Sequence, residues 1–221
     1  MNKLFVEQNN LAHLQCAKNQ LYREAESRNN IALYSTIAGA VIFPILAILF
    51  PENNEVFAFL GGLLGLVAGI GIKNLSQKKQ LQASKMQELF DTRLFQIDWN
   101  KSLAGPEPAD HLIEEAIKRN KKKKPSDFKD WYNDYHSLSP NLAALYCQME
   151  NLFWDNRQRQ AYFRFLLFPS LIVLLAGVIY AITAQLPLAS YALNILVPQL
   201  GLVIYLGTVA YNHFAASQKL N

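Results

Sequence analysis

Between residues 165 and 218 the chain has no Asp, Glu, Lys or Arg, a run of 54 positions in a protein of which 17% is charged. A water-soluble domain would interrupt such a run several times, so a soluble fold is excluded for this stretch. Cysteine is nearly as scarce. Cys16 and Cys147 are the two present, and neither has CxxC or metal-ligand spacing. Both fall in segments assigned below to the cytosol, where disulfides rarely persist, so they read as reduced structural thiols. HExxH, Walker-loop and GxSxG motifs are absent too, which removes the common metalloprotease, nucleotide-hydrolase and serine-hydrolase chemistries. No enzyme, cofactor or metal centre is expected. Residues 1–30 are polar and mixed in charge rather than basic and then apolar, so no cleavable signal peptide is expected and the membrane helices themselves direct insertion.

What the uncharged run does contain is length and grease. A helix needs about 20 apolar residues to cross the hydrocarbon core, so the run holds two crossings and a turn. Residues 165–184 carry twelve Leu, Ile, Val or Phe among twenty. At about −0.3 to −0.6 kcal/mol each, these favour insertion by roughly 4 to 7 kcal/mol. Residues 185–189, centred on Pro187, turn the chain and 190–211 cross back. Two further crossings lie upstream. Residues 31–50 carry eleven such side chains and a kinking Pro44, and residues 56–72 follow a short turn at 51–55.

Charge sets the topology. Four Lys or Arg precede the first crossing, sixteen lie in 73–164, one follows the fourth crossing, and neither short outer loop has any. The positive-inside rule then puts both termini and residues 73–164 in the cytosol. The expected architecture is an all-α, multi-pass membrane protein. Four transmembrane helices form two hairpins, and a cytosolic helical insert is continuous with the second and third of them. The segments are 1–30, an amphipathic helix; 31–72, the first hairpin; 73–164, the cytosolic domain; 165–212, the second hairpin; and 213–221, a tail.

Several patterns inside these segments bear on function. Leu4, Leu11, Leu14, Leu21 and Ala25 mark the apolar face of the first helix, best used for packing on the protein's own cytosolic part. Gly61, Gly65 and Gly69 form two overlapping GxxxG units, a helix-packing signature with a gating hinge as a lesser possibility. On the fourth crossing, Tyr191, Asn194, Pro198, Gly201, Tyr205, Thr208 and Asn212 recur every three or four residues and so share one face. Polar atoms in lipid need partners or water. That stripe therefore serves helix packing or, alternatively, lines a pore. A helix starting at Pro140, capped by Ser139, meets no breaker before Pro169 and is expected to run into the third crossing. From 140 to 184 is 45 residues, about 67 Å at ~1.5 Å each. Leu142, Leu145, Tyr146, Met149, Leu152 and Phe153 are expected to be its core stripe.

Candidate sites are sparse. His111 and Glu115 stand four apart without a second pair, and Asp127, Asp130 and Asp134 miss the calcium-loop spacing; both sets read as ordinary helix-face or capping residues. The dense base cluster of Lys118, Arg119, Lys121, Lys122, Lys123 and Lys124 suits a solvated loop, the anionic inner leaflet or a phosphate ligand. Arg157, Arg159 and Arg164 sit where interfacial arginines anchor a helix end. Trp99, Asn100, Trp131, Tyr132, Asn133, Asn151 and Trp154 lie close to these charges in sequence. Aromatic and amide groups beside arginine suit bases and phosphates, and equally suit an amphipathic core.

The segments MQELFDTRLFQIDWN (86–100) and DWYNDYHSLSPNLAALYCQMENLFWDNRQRQAY (130–162) resemble the bacterial SMODS-associated four-transmembrane effectors. The arrangement of two hairpins around an insert is similar as well. The resemblance implies a pore-forming, homo-oligomeric anti-phage effector acting on the lipid bilayer. It would be activated by a cyclic oligonucleotide from a partner nucleotidyltransferase, and no DNA binding is expected. Asp91, Trp99, Asn100, Trp131, Tyr132, Asn133, Asp134, Trp154, Asp155 and Arg157 carry over as motif positions without assigned roles. Members of that family generally continue past the fourth crossing, whereas this sequence stops at Asn221, so a sensing or oligomerisation element is expected to be missing, truncated or supplied by a partner. The rival expectation is a membrane-anchored scaffold or sensor that recruits a soluble partner.

Overall fold

The computed structural model describes residues 3–133, 135 and 138–218. Among these, every regular element is helical: α1 (Lys3–Asn10), α2 (Ala12–Leu49), α3 (Asn54–Leu66), α4 (Lys73–Phe95), α5 (Lys101–Ala104), α6 (Asp110–Arg119), α7 (Pro140–Thr183), α8 (Leu188–Tyr191) and α9 (Val197–Gln218). Two π-helical stretches, Val67–Ile72 and Ala192–Leu196, join α3 to α4 and α8 to α9. Four helices are long and apolar enough to cross a membrane: Ala12–Leu49, Pro51–Phe95, Pro140–Thr183 and Leu188–Asn212.

The chain divides into two compact units, one of residues 1–27 and 75–153, the other of residues 28–74 and 154–221. Helices α2 and α7 each contribute residues to both. No break occurs in α2 near residue 30. The reason is local, since no Gly or Pro occurs between Ala12 and Ile37 to stop a helix. The one interruption is at Leu11, between α1 and α2.

In the first unit, Leu11, Leu14 and Leu21 are at most 7% exposed and pack against Met86, Leu89 and Phe90 of α4, together with Ile113 of α6. Each Leu so buried stabilises the unit by about 1.5–3 kcal/mol. Leu4 has no described side chain. Helix α7 begins at Pro140, as its sequence predicts, and the Ser139 carbonyl accepts the Ala143 N–H at 2.9 Å. Its core face is a correction. Leu142, Leu145, Tyr146, Met149, Leu152 and Phe153 are 41–61% exposed, whereas Ala143 and Cys147 are buried. The small side chains bring the α7 backbone close to the core, and the bulky ones are left on the opposite side.

In the second unit α3 packs along α9. A Cβ built on Gly65 would fall on the Gly201 backbone, and one on Gly61 would meet Pro198 Cβ at 2.8 Å. Glycine is required at this crossing for close approach.

Candidate functional site

The first unit encloses a chain of polar side chains drawn from separate elements. Lys18 of α2 donates to Gln87 Oε1 at 2.6 Å, and Gln87 donates in turn to Asp91 Oδ2 at 2.9 Å. The Tyr132 hydroxyl donates to Asp91 Oδ1 at 2.8 Å and accepts a hydrogen bond from the Asn151 amide of α7. The Tyr132 backbone N–H donates to Gln8 Oε1 of α1 at 3.2 Å. Lys18 and Asp91 are each 8% exposed, and Tyr132 is 3% exposed.

Burial acts against both charges. It pushes the Lys18 ammonium down to about 7, although the Asp91 carboxylate pulls the other way. It pushes the Asp91 carboxyl up, opposed by hydrogen bonds from Gln87, Tyr132 and Gln148 and by the Lys18 charge. Tyr132 is likewise raised, first by burial and then by the Asp91 charge. A buried amine and carboxyl linked through one amide are therefore held with little reserve, and a change in either partner disturbs the whole chain of bonds.

One side of this network reaches solvent through aromatic rings. Lys18 Nζ stands 4.0 Å from the centroid of the Trp131 ring, which lies 6.4 Å from Phe128. Lys123 Nζ in turn sits 5.3 Å from Phe128. Lys121, Lys122, Lys123 and Lys124 all have exposed side chains, yet their backbone is tied down. The Lys123 N–H donates to Asn120 Oδ1 at 3.1 Å, the Lys124 N–H to Asp127 Oδ2 at 2.9 Å, and Asn120 Nδ2 to the Cys16 carbonyl at 3.1 Å. A fixed basic loop thus abuts the aromatic pair, a combination suited to an anionic, ring-bearing ligand.

The remaining sequence candidates are distributed as follows. Asn133 donates to Glu150 Oε1 at 2.8 Å, next to the network. Trp99 donates from its indole to the Gly105 carbonyl at 2.7 Å, and Asn100 caps α5 by accepting the N–H groups of Ser102 and Leu103; these two shape the loop around α5. Asp134 lies outside the described residues. Trp154, Asp155, Arg157 and Arg159 belong to the second unit, where Arg157 stands 5.9 Å from the Trp154 ring and Arg159 bonds Asp155 at 2.7 Å. Asp127 and Asp130 are engaged by the Lys124 N–H and by Asn9 Nδ2, and Glu115 pairs with Arg119 at 3.4 Å.

On α9 and the π-helical turn before it, Pro198, Gly201 and Tyr205 are buried, whereas Thr208 is exposed and donates back to the Ile204 carbonyl at 2.6 Å. Tyr191 and Asn194 are half-buried. The middle of the polar stripe thus packs within the chain. Gly69 faces the Gly201 carbonyl at 3.7 Å and Tyr205 Cβ at 3.8 Å, measured from a Cβ built on it.

Sequence reasoning missed Lys18, Gln87, Gln8, Asn120 and Phe128. Lys18 was signalled: it falls four residues after Leu14 and three before Leu21, a lone charge on the apolar stripe. Gln87 and Gln8 gave no such sign, because amides occur on every face of these helices.

The fold and these sites define an all-helical, multi-pass membrane protein, one of whose two units is organised round a buried lysine–amide–carboxyl network. The chain matches the SMODS-associating 4TM effector domain over residues 5–221 and belongs to that family. It is also similar to a protein of Bacillus cereus (strain VD146) described as a probable CBASS effector molecule, being 24% identical over 192 residues, which are 83% of this chain and 65% of that protein. No solved structure matches it.

Proposed function

We propose that this protein is the membrane-permeabilising effector of a bacterial anti-phage system, held quiet until a cyclic oligonucleotide made by a partner nucleotidyltransferase engages its cytosolic unit. Copies then associate and open a path for ions through the inner membrane, stopping growth without catalysis by this chain. The spans lie as two hairpins, with both termini and residues 73–164 inside. The similar Bacillus protein, a probable CBASS effector molecule, supports the setting.

The observation that carries the mechanism is the Lys18–Gln87–Asp91–Tyr132–Asn151 network. It joins α2, α4 and α7, and each of these helices is continuous with one of the apolar spans. A ligand seated on Trp131 and the Lys121, Lys122, Lys123 and Lys124 loop, with Tyr132 and Asn133 beneath it, bears on Lys18 through the Trp131 ring. Moving a two-state equilibrium from 1:99 to 99:1 takes about 5.5 kcal/mol of differential affinity. Two or three phosphate–lysine hydrogen bonds at about 1.5–3 kcal/mol each supply that.

Burial of Pro198 and Gly201 against α3, and of Tyr205 among Ala32, Leu33 and Ile72, favours a second reading, a membrane-anchored scaffold in which the stripe is packing alone. Dye release from liposomes holding purified protein separates the two. Release that rises on adding a cyclic di- or trinucleotide is expected; intact liposomes under a full panel of such nucleotides overturn the pore reading and leave the scaffold.

A further inference from the structure

The structure assigns the exposed apolar face of α7 to a second copy of this chain, lying parallel along the same seam. Leu142, Leu145, Met149 and Leu152 are spaced 3, 4 and 3, the first and fourth positions of two consecutive heptads, and Tyr146 and Phe153 flank them. All six are 41–61% exposed. Ala143 and Cys147, which pack inward, lie roughly 140° and 180° round the helix from the seam's centre at about 100° per residue. The face is therefore not the unit's own core.

Three features select a like helix as the occupant. A 3.5-residue repeat is the spacing at which two similar helices mesh along their length. Lipid is a poor occupant, because Asp155, Arg157, Arg159 and Arg164 separate the seam from the apolar run of α7. Area is the third. The exposed seam amounts to roughly 600 Å² per copy, taking about 200 Å² for a large apolar side chain, against about 800 Å² per partner in a stable soluble dimer. Such a face falls short of holding two free proteins together. It suffices when a membrane has already removed most of the translational freedom, because helices continuous with a span meet in the same orientation and at the same height. Association through α7 is thus weak enough to be conditional. The inference rests on the multi-copy part of the function proposed above and names the face it uses.

Disulfide trapping in liposomes tests it on the full chain. Leu145→Cys and Leu152→Cys are oxidised with copper phenanthroline beside Leu103→Cys, which is 86% exposed on α5, and beside the parent, whose own cysteines are buried. At least about tenfold more covalent dimer at positions 145 and 152 than at 103 is expected. Equal yields overturn the seam, as does trapping in cells of an unequal partner in place of a dimer. The exposed pair Leu145→Glu/Leu152→Glu, with unchanged helicity and melting, is expected to collapse the lysine-crosslinked ladder to monomer; an unchanged ladder overturns the seam. Dye release from the same liposomes keeps the two ideas apart. Trapped dimers without release uphold the seam against the pore, and release without trapping does the reverse.

Discussion

Gly65 and Gly201 lie backbone to backbone: a Cβ placed on either would fall on the Cα of the other. The close approach is what α3 and α9 gain from having no side chain at these two points. Gly65→Ala and Gly201→Ala are each expected to force the helices apart and lower stability in detergent by about 1–3 kcal/mol, the usual cost of overpacking. Gly207→Ala, with nothing within 4 Å of its Cβ, is expected to change stability by less than about 0.5 kcal/mol. Thermal melts followed by circular dichroism give the comparison.

Tyr132→Phe removes the hydroxyl that joins Asp91 to Asn151 and leaves the ring in place. The buried Asp91 and the half-buried Asn151 then each lack a bond, at a cost of about 1–3 kcal/mol. Asn133→Ala, which breaks a bond between exposed groups, is expected to cost less than about 1 kcal/mol. Denaturant melts of the two variants side by side give the difference.

The pH dependence of stability has a definite sign. Lys18 titrates near 7 when folded and near 10.5 when unfolded, so the unfolded chain binds the extra proton between those values. Its contribution therefore makes stability rise as pH climbs from about 7 toward 10.5, and Lys18→Met is expected to flatten that rise. Glu24 behaves oppositely on the acid side. Burial pushes its carboxyl up, but hydrogen bonds from Gln20, Lys79 and Arg119 outweigh this and hold it at about 2, below its ordinary 4.5. The stabilisation it supplies is present above 4.5 and lost as pH falls toward 2. Glu24→Gln is expected to remove that acid-side loss. Melts from pH 3 to 10 check both variants.

Replacing Lys121, Lys122, Lys123 and Lys124 by Gln leaves the Asn120 and Asp127 bonds to the loop backbone in place. Fold and melting are expected to stay as they are, while affinity for the cyclic oligonucleotide proposed as activator is expected to drop by on the order of 100-fold, the worth of about two charge-assisted bonds. Titration calorimetry measures both the loss and its absence.

The sequence made some of this legible and hid the rest. The four apolar helices were plain, since span length and the lack of charge are set by the bilayer. The start of α7 at Pro140 followed from proline's fixed φ. Its packing face did not. Six large apolar residues outweigh Ala143 and Cys147 in any pattern count, but close helix approach selects the small ones. The glycines of α3 announced tight packing; that Gly201 would be the facing residue lay in the fourth crossing's stripe, where the same spacing also suited a pore. Of the two ends bridged by Gln87, Asp91 stood in a segment resembling the family, whereas Lys18 stood alone on an apolar face in a different helix. Nothing along the chain links two residues 73 positions apart until the helices pack.

The proposed response to a cytoplasmic messenger requires the network unit to lie on the cytoplasmic side, and labelling with a membrane-impermeant maleimide tests this most directly. Leu103→Cys in the unit and Asn53→Cys in the turn after the first span are treated in intact cells and again after permeabilisation. Asn53→Cys is expected to label in both, and Leu103→Cys only once the membrane is opened. Labelling of Leu103→Cys in intact cells would put the unit outside and contradict the account.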